Sequence, residues 1–399
     1  MAADPVVRFL RTRCPPPPDE VTPMPFMPLS IISTWLLGLL SLGLFGGGLY
    51  ILWAWYAGAL VSPAWPAVSL VAFLWSFTGR SIVLRFRRPS RDEPRHARGG
   101  LMDRIERLDG SSLHVELDGP VDGPPVILTH GNGMAGTAWY YQRRKLAERF
   151  RLIVWDLPGC GRSRGPATGD YRPEKLARDL GEIVALAGGH PAILVGHGLG
   201  GMLALTYCKL FPEKVGREVA GLVLVDTAPA NPVHATPLAR RLSAVVTPLL
   251  YLTVWLSPVV KVMNWLSYHN GMLHLQSMLT GFAGGESRGQ LDFATSFTPL
   301  ASPGETARAT LALCRYDASD ALPRIDVPAL VVTGDQDRVI VPETARRLVL
   351  ALPRATLVTL RPGGHLALLE QHEALTRALA AFASEHGAVE LGSASRRRR

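Results

Sequence analysis

The chain has 399 residues, 47% hydrophobic and 19% charged, with 39 Gly and 32 Pro, which excludes a disordered tail protein, a collagen and a small disulfide-stapled domain. Cys14, Cys160, Cys208 and Cys314 form no CxxC pair and no His cluster, which argues against structural zinc or a disulfide framework and fits a reducing compartment. The net charge of +9 is local: residues 27–79 carry none, residues 80–98 carry seven Arg against Asp92 and Glu93, and Arg396 to Arg399 add four more. A nucleic-acid binder spreads its charge over a folded face, so no nucleic-acid partner is expected.

Residues 1–28 form a Pro-rich N-terminus. The uncharged run that follows is too long for one helical crossing, which needs ~20 apolar residues. Ser62-Pro63-Ala64-Trp65-Pro66 interrupts it, and two prolines so close do not fit inside one helix. The pattern predicts a two-span anchor over residues 29–84, with spans at 29–56 and 66–84. Tyr50, Trp53, Trp55, Tyr56 and Trp65 cluster near the turn, where an interfacial aromatic belt belongs. Arg80 snorkels from the last turn of the second span. The Arg-rich stretch beyond it stays cytoplasmic by the positive-inside rule, and both termini and the soluble part follow. Membrane lipid is thus an expected partner. Ala57-Gly58-Ala59 also resembles a signal-peptide cleavage site, but the apolar region is about twice the usual ~7–15 residues.

Residues 85–100 read as a basic linker, 101–226 with 319–385 as one α/β domain, 227–318 as a helical cap inserted in it, and 386–399 as a disordered basic tail. Short apolar runs at 126–129, 152–155, 192–195, 221–225, 329–333 and 356–360 alternate with helical patterns such as 174–187 and 342–351. Continuous β-branched runs bounded by Gly and Pro predict a mostly parallel sheet covered on both faces. The spacing breaks once, for about 100 residues after Asp226. That insertion holds apolar helical patterns at 249–255, 259–265 and 272–279, a cap over the carboxyl ends of the strands or an apolar substrate channel facing the bilayer.

The chemistry-bearing segments follow predicted strands. His130-Gly131-Asn132-Gly133 has the small residues that let backbone N–H groups face a ligand oxygen, although an ordinary Gly turn reads the same way. Asp156-Leu157-Pro158-Gly159-Cys160-Gly161-Arg162-Ser163 is a Gly-punctuated loop. His197-Gly198-Leu199-Gly200-Gly201 lies at a strand-to-helix junction. Asp335 and Asp337 follow one late strand, and Gly363-Gly364-His365 follows the next. A carboxylate and an imidazole on adjacent loops can form a pair in which the acid orients and stabilises the base.

In this order the segments HGNG, DLPGCGRS, GHGLGG, TGDQDRVIVP and GGHLALLEQHE resemble the α/β-hydrolase family over roughly residues 105–385. The N-terminal pair of spans looks like that of its membrane-anchored bacterial members of the lipase/esterase type. The resemblance implies an α/β-hydrolase fold, hydrolysis of an ester or similar acyl bond of an apolar substrate, Asp337 as triad acid and His365 as triad base. It also implies an oxyanion hole made by the backbone N–H groups of Asn132 and Leu199. Asp335 and Asp226 are weaker candidates for the acid.

One position departs. The family's elbow reads G-x-S-x-G with Ser as nucleophile, and here it reads Gly196-His197-Gly198-Leu199-Gly200. Gly198 has no side chain, so the acyl-serine route is closed, as is an epoxide- or haloalkane-type reaction, which needs a carboxylate there. Three readings stay open: a pseudoenzyme that binds an apolar ligand or membrane partner, direct activation of water by His365 with Asp337, or a substitute nucleophile among Ser163, Cys160 and Cys208. A membrane scaffold is a fourth, of another class. With neither a ligand cluster nor a dinucleotide or P-loop fingerprint, no metal or organic cofactor is expected.

Overall fold

The computed structural model describes residues 26–231 and 237–387. Most of the Pro-rich N-terminus, Cys14 and the four terminal Arg lie outside the described residues.

Two apolar helices come first, α1 (Phe26–Tyr56) and α2 (Trp65–Arg85). Pro66 starts α2, the position where a missing N–H is harmless. The helices pack through small residues: Gly48 lies against Ala72 and Phe73, and the Ser69 hydroxyl donates to the Gly48 carbonyl at 2.8 Å. Both are long and apolar enough to cross a membrane.

An eight-stranded sheet follows in the order β1-β2-β4-β3-β5-β6-β7-β8. Its strands are β1 (Leu101–Glu106), β2 (Ser112–Asp118), β3 (Pro125–Thr129), β4 (Arg151–Trp155), β5 (Ala192–His197), β6 (Val219–Val225), β7 (Ala329–Gly334) and β8 (Ala355–Leu360). β3 to β8 run parallel, and each contains one of the six apolar runs; β1 and β2 are antiparallel at one edge. This edge pair escapes the sequence pattern because β1 mixes charged with apolar residues and is largely exposed, and because buried β2 carries His114 and Glu116 among its apolar residues.

The parallel strands are apolar throughout because both faces are covered. Ile127, Ile153, Leu194, Leu224 and Val331 point to one core, shared with α4 (Pro173–Ala185), α5 (Leu199–Leu210) and α11 (Pro342–Ala351). Leu128, Val154, Val195, Val223 and Val332 point to the other, shared with α3 (Tyr140–Leu146), α12 (Ala367–Glu370) and α13 (His372–His386). Burying one such side chain stabilises the fold by about 1.5–3 kcal/mol.

Two regions differ from the sequence expectation. The segment before β1 is docked rather than a loose linker: Arg98 pairs with Glu116 and, at 2.9 Å, Asp156, and the Tyr141 hydroxyl donates to the Asp92 carbonyl at 2.8 Å. Among the described residues between β6 and β7 there are five α-helices where the apolar pattern marks three: α6 (Pro237–Trp255), α7 (Ser257–His269), α8 (Met272–Thr280), α9 (Arg288–Leu300) and α10 (Pro303–Leu313). α9 and α10 carry Ser, Thr and an internal Pro299, which dilute their apolar period. α6 and α7 meet at a 100° bend, where Pro258 opens the second helix.

Candidate active site

The carboxyl ends of β3, β5, β6, β7 and β8 bring the motif loops together, where ligand sites of open α/β sheets lie. At the end of β5 the chain turns sharply into α5 on Gly198, with φ 51° and ψ −114°, a conformation that strains any residue with a Cβ. The turn is held by its backbone: Gly198 N–H donates to Val225 O at 3.0 Å, and the Thr227 hydroxyl donates to Gly198 O at 2.6 Å. Gly200 permits the close crossing of α5 over β3, since a Cβ there would overlap the Thr129 carbonyl.

His365, after β8, directs its ring toward this turn. Its Nδ1–H donates to Asp337 Oδ2 at 2.9 Å. Asp337 is 3% exposed, and its other oxygen accepts the N–H groups of Val339 (2.7 Å) and Ile340 (2.9 Å). On the far side of the ring, Nε2 lies 4.0 Å from where a Cβ on Gly198 would stand, and nothing else is nearer to that point than Gly131 Cα at 3.9 Å. Burial pushes the His365 pKa down, but the Asp337 charge and hydrogen bond, with Asp226 adding, outweigh it and the net shift is upward.

Asp226 directly follows β6, with φ 45°, and is buried. One oxygen accepts Gly334 N–H at 2.9 Å. Burial first, then the neighbouring Asp337 charge, raise its pKa well above the usual carboxylate range. The two acids therefore differ in position: Asp337 faces the imidazole, while Asp226 faces Gly334. Asp335 turns elsewhere and accepts Gly363 N–H at 3.0 Å, which fixes the loop before His365.

Leu199 is the first residue of α5, so its N–H has no acceptor within the helix. Asn132, in the loop after β3, is fixed by its side chain, whose amide donates to the Thr310 hydroxyl of α10 at 2.9 Å. His130 is structural: its Nδ1–H donates to Gly131 O at 2.7 Å and its Nε2 accepts Leu157 N–H at 2.9 Å. The Ser163 hydroxyl donates to Asp156 O at 2.6 Å and accepts His114 N–H at 2.8 Å. Cys160 and Cys208 are buried, and burial pushes both thiols up to about 12, so neither is a thiolate at neutral pH.

One contributing residue has no sequence signal beyond its place in the elbow. His197 is enclosed and donates its Nε2–H to the His365 carbonyl at 3.0 Å, which holds the backbone of the imidazole loop. Burial, then the nearby His365, push its pKa down to about 3.

This order of strands and loops has a counterpart among known proteins: residues 126–378 match the alpha/beta hydrolase family. The chain belongs to the α/β-hydrolase family. Among the α/β hydrolases similar to it is a putative carbamate hydrolase RutD of Caulobacter sp., 27% identical over 301 residues, 70% of this chain and 98% of that protein. A solved thermophilic esterase from Thermogutta terrifontis aligns over 72% of this chain and all of its own, at TM-score 0.61 and 25% identity. A solved membrane phospholipase A shares the fold over 86% of this chain and 99% of its own, at TM-score 0.58 and 22% identity.

Proposed function

We propose that this α/β hydrolase is a membrane-anchored hydrolase of acyl esters with an apolar acyl group, and that water serves as its nucleophile. Gly198 is read as the position where the family's elbow carries Ser, and Asp337 and His365 as the acid and base. The observation that carries the reading is the conjunction of an oriented His365–Asp337 pair with an open position facing its Nε2.

In this mechanism a water beside Gly198 attacks the ester carbonyl carbon while His365 Nε2 takes its proton. Asp337 holds the imidazole in the right tautomer and stabilises the imidazolium. The backbone N–H groups of Asn132 and Leu199 hold the oxyanion. Collapse breaks the acyl C–O bond, and the proton on His365 leaves with the alcohol. The products are one acid and one alcohol, with the enzyme restored. The two apolar helices are read as spans whose Arg-rich end faces the cytoplasm, with the hydrolase domain on that side; a reporter fused after Arg399 that worked only outside the cytoplasm would overturn this orientation.

The test is hydrolysis of short and medium p-nitrophenyl esters by the full chain in detergent micelles or nanodiscs. The wild type turns over slowly, and His365→Ala removes that activity. The bare Gly at 198 favours a second reading, a binding protein without turnover. Tight binding of an apolar ester whose rate is equal in wild type and His365→Ala establishes that one instead.

A further inference from the structure

We propose that the insertion is itself seated in the bilayer. α6 and α7 lie in the leaflet at the Arg-rich end of the anchor, as a third apolar element whose partner is lipid acyl chain. The proposal rests on the anchoring reading above and adds to it.

The hairpin and the insertion are one packed unit. The Trp35 indole N–H donates to the Thr253 hydroxyl at 3.0 Å. Ser41 shares a 2.8 Å hydrogen bond with Ser267 and accepts the Asn270 amide at 2.8 Å. On α2, Phe77 meets Trp265 with ring centroids 6.1 Å apart, and Gly79 lies against the Asn270 backbone. These polar groups satisfy one another without solvent, as a contact in hydrocarbon must.

Length decides where that unit sits. Beyond Ser41 and Phe77 only residues 42–56 of α1 and 65–76 of α2 project from the insertion. At ~1.5 Å per residue they reach about 22 and 18 Å, short of the ~30 Å hydrocarbon core. A hairpin that crosses the bilayer must therefore carry α7 about 10 Å below the headgroups.

The insertion's surface suits that depth. Its outward face presents Tyr251, Trp255 (79% exposed), Val259, Val262 (52%) and Trp265 (43%). Through the Phe77–Trp265 contact this face continues the apolar surface of the hairpin. Between residues 242 and 268 the only charge is Lys261, whose long stem can carry its ammonium to the headgroups. Arg80, inside the second span, is neutralised by Asp292 of α9, which also accepts the Tyr268 hydroxyl and His274 Nε2–H, each at 3.0 Å. Ionisable groups at membrane depth are paired in this way. Arg85, Arg88, Arg91 and Arg95 are exposed at the end of α2 and just beyond it, where anionic headgroups lie.

The experiment uses the full chain, with Cys14 and Cys314 replaced by Ser, in phosphatidylcholine/phosphatidylglycerol vesicles. An environment-sensitive dye is placed at Val262→Cys, at Gly46→Cys in the anchor, where a side chain meets nothing within 4 Å, and at Arg178→Cys on the exposed face of α4. Spin-labelled lipid is the quencher. Val262→Cys is expected to lose emission within about twofold of Gly46→Cys, as a helix ~5–10 Å below the headgroups would, more to a label high on the acyl chain than to one near its end. Arg178→Cys is expected to stay unquenched. Quenching at 46 with none at 262 overturns the proposal and leaves the anchor standing, whether water or a second protein covers the face. No quenching at 46 overturns the anchor and the proposal together.

Discussion

Gly198→Ser tests the site more sharply than any deletion, because it asks whether the surroundings still suit a hydroxyl. A Cβ at 198 would meet nothing nearer than 3.9 Å, so the substitution is sterically open. Its cost is conformational: φ 51° and ψ −114° penalise a Cβ by about 1–3 kcal/mol, a fall of about 2–10 °C in melting temperature for a domain of this size. From the Cβ position, 4.0 Å from His365 Nε2, a C–O bond of about 1.4 Å aimed at the ring puts the hydroxyl ~2.6–3.2 Å away, within reach for nucleophile and base. Removing Ser from an intact triad costs on the order of 10⁶ in kcat, so restoring it in a sound site raises p-nitrophenyl butyrate hydrolysis by ~10²-fold or more. A burst of nitrophenol and a covalent phosphonate adduct at residue 198 accompany the gain, and His365→Ala in that background removes all three. A folded Gly198→Ser protein with the expected loss of melting temperature, no adduct and less than about tenfold gain refutes the claim that these loops form a hydrolytic site.

Three further outcomes follow from the titrating groups. Because Asp337 raises the His365 pKa and the base must be neutral, wild-type activity rises with pH through an inflection above the ordinary imidazole value of ~6.5; in Asp337→Asn the pH–rate profile moves its inflection down and its plateau falls. His197 works in the opposite sense: its folded pKa is depressed to about 3, so the stability it confers is full above ~6.5 and lost as pH falls. Between pH 7 and pH 5 that loss is about 2 kcal/mol, and calorimetry is expected to show a smaller drop in melting temperature for His197→Gln over that interval. Asp226 has a raised folded pKa, so the stability it contributes falls as pH climbs past the unfolded carboxylate value. Asp226→Asn removes that cost, and Asn tolerates positive φ; urea unfolding at pH 7 is expected to show a higher midpoint than wild type, with activity reduced at least ~10-fold less than in Asp337→Asn.

The parallel sheet was legible because its chemistry is extreme: strands buried on both faces are apolar except for an end Thr such as Thr129 or Thr333, so 126–129, 192–195 and 329–333 stand out. The antiparallel edge was not, since β1 touches solvent along most of its length and its Asp, Arg and Glu erase the pattern. At the site, Asp337 and His365 were visible because each follows a strand within a Gly-bounded loop. Their division of labour with Asp226 was not visible, because it depends on which carboxylate the fold turns toward the ring and which toward Gly334. His197 was invisible for a related reason: a hydrogen bond to a backbone carbonyl 168 residues away leaves no trace in local composition. The helices α9 and α10 escaped because their polar residues serve the interior, Thr310 holding Asn132 and Gln290 closing a capping box with Ser287.

The Arg98 bridge has a practical corollary for anyone who wants the α/β domain alone. Glu116 and Asp156 are almost fully enclosed and share this guanidinium, and Asp156 also accepts the N–H groups of Gly136 and Arg162 on two loops near the site. Cutting the chain at Gly100 takes the cation from Asp156, which keeps only those two N–H groups, while Glu116 keeps Arg143 at 2.9 Å; removing the partner of a buried charge costs about 3–5 kcal/mol. A shortened version should begin upstream of Asp92, whose carbonyl holds Tyr141. By energy rather than by secondary structure, the hydrolase half starts in the arginine stretch that a sequence editor would discard first.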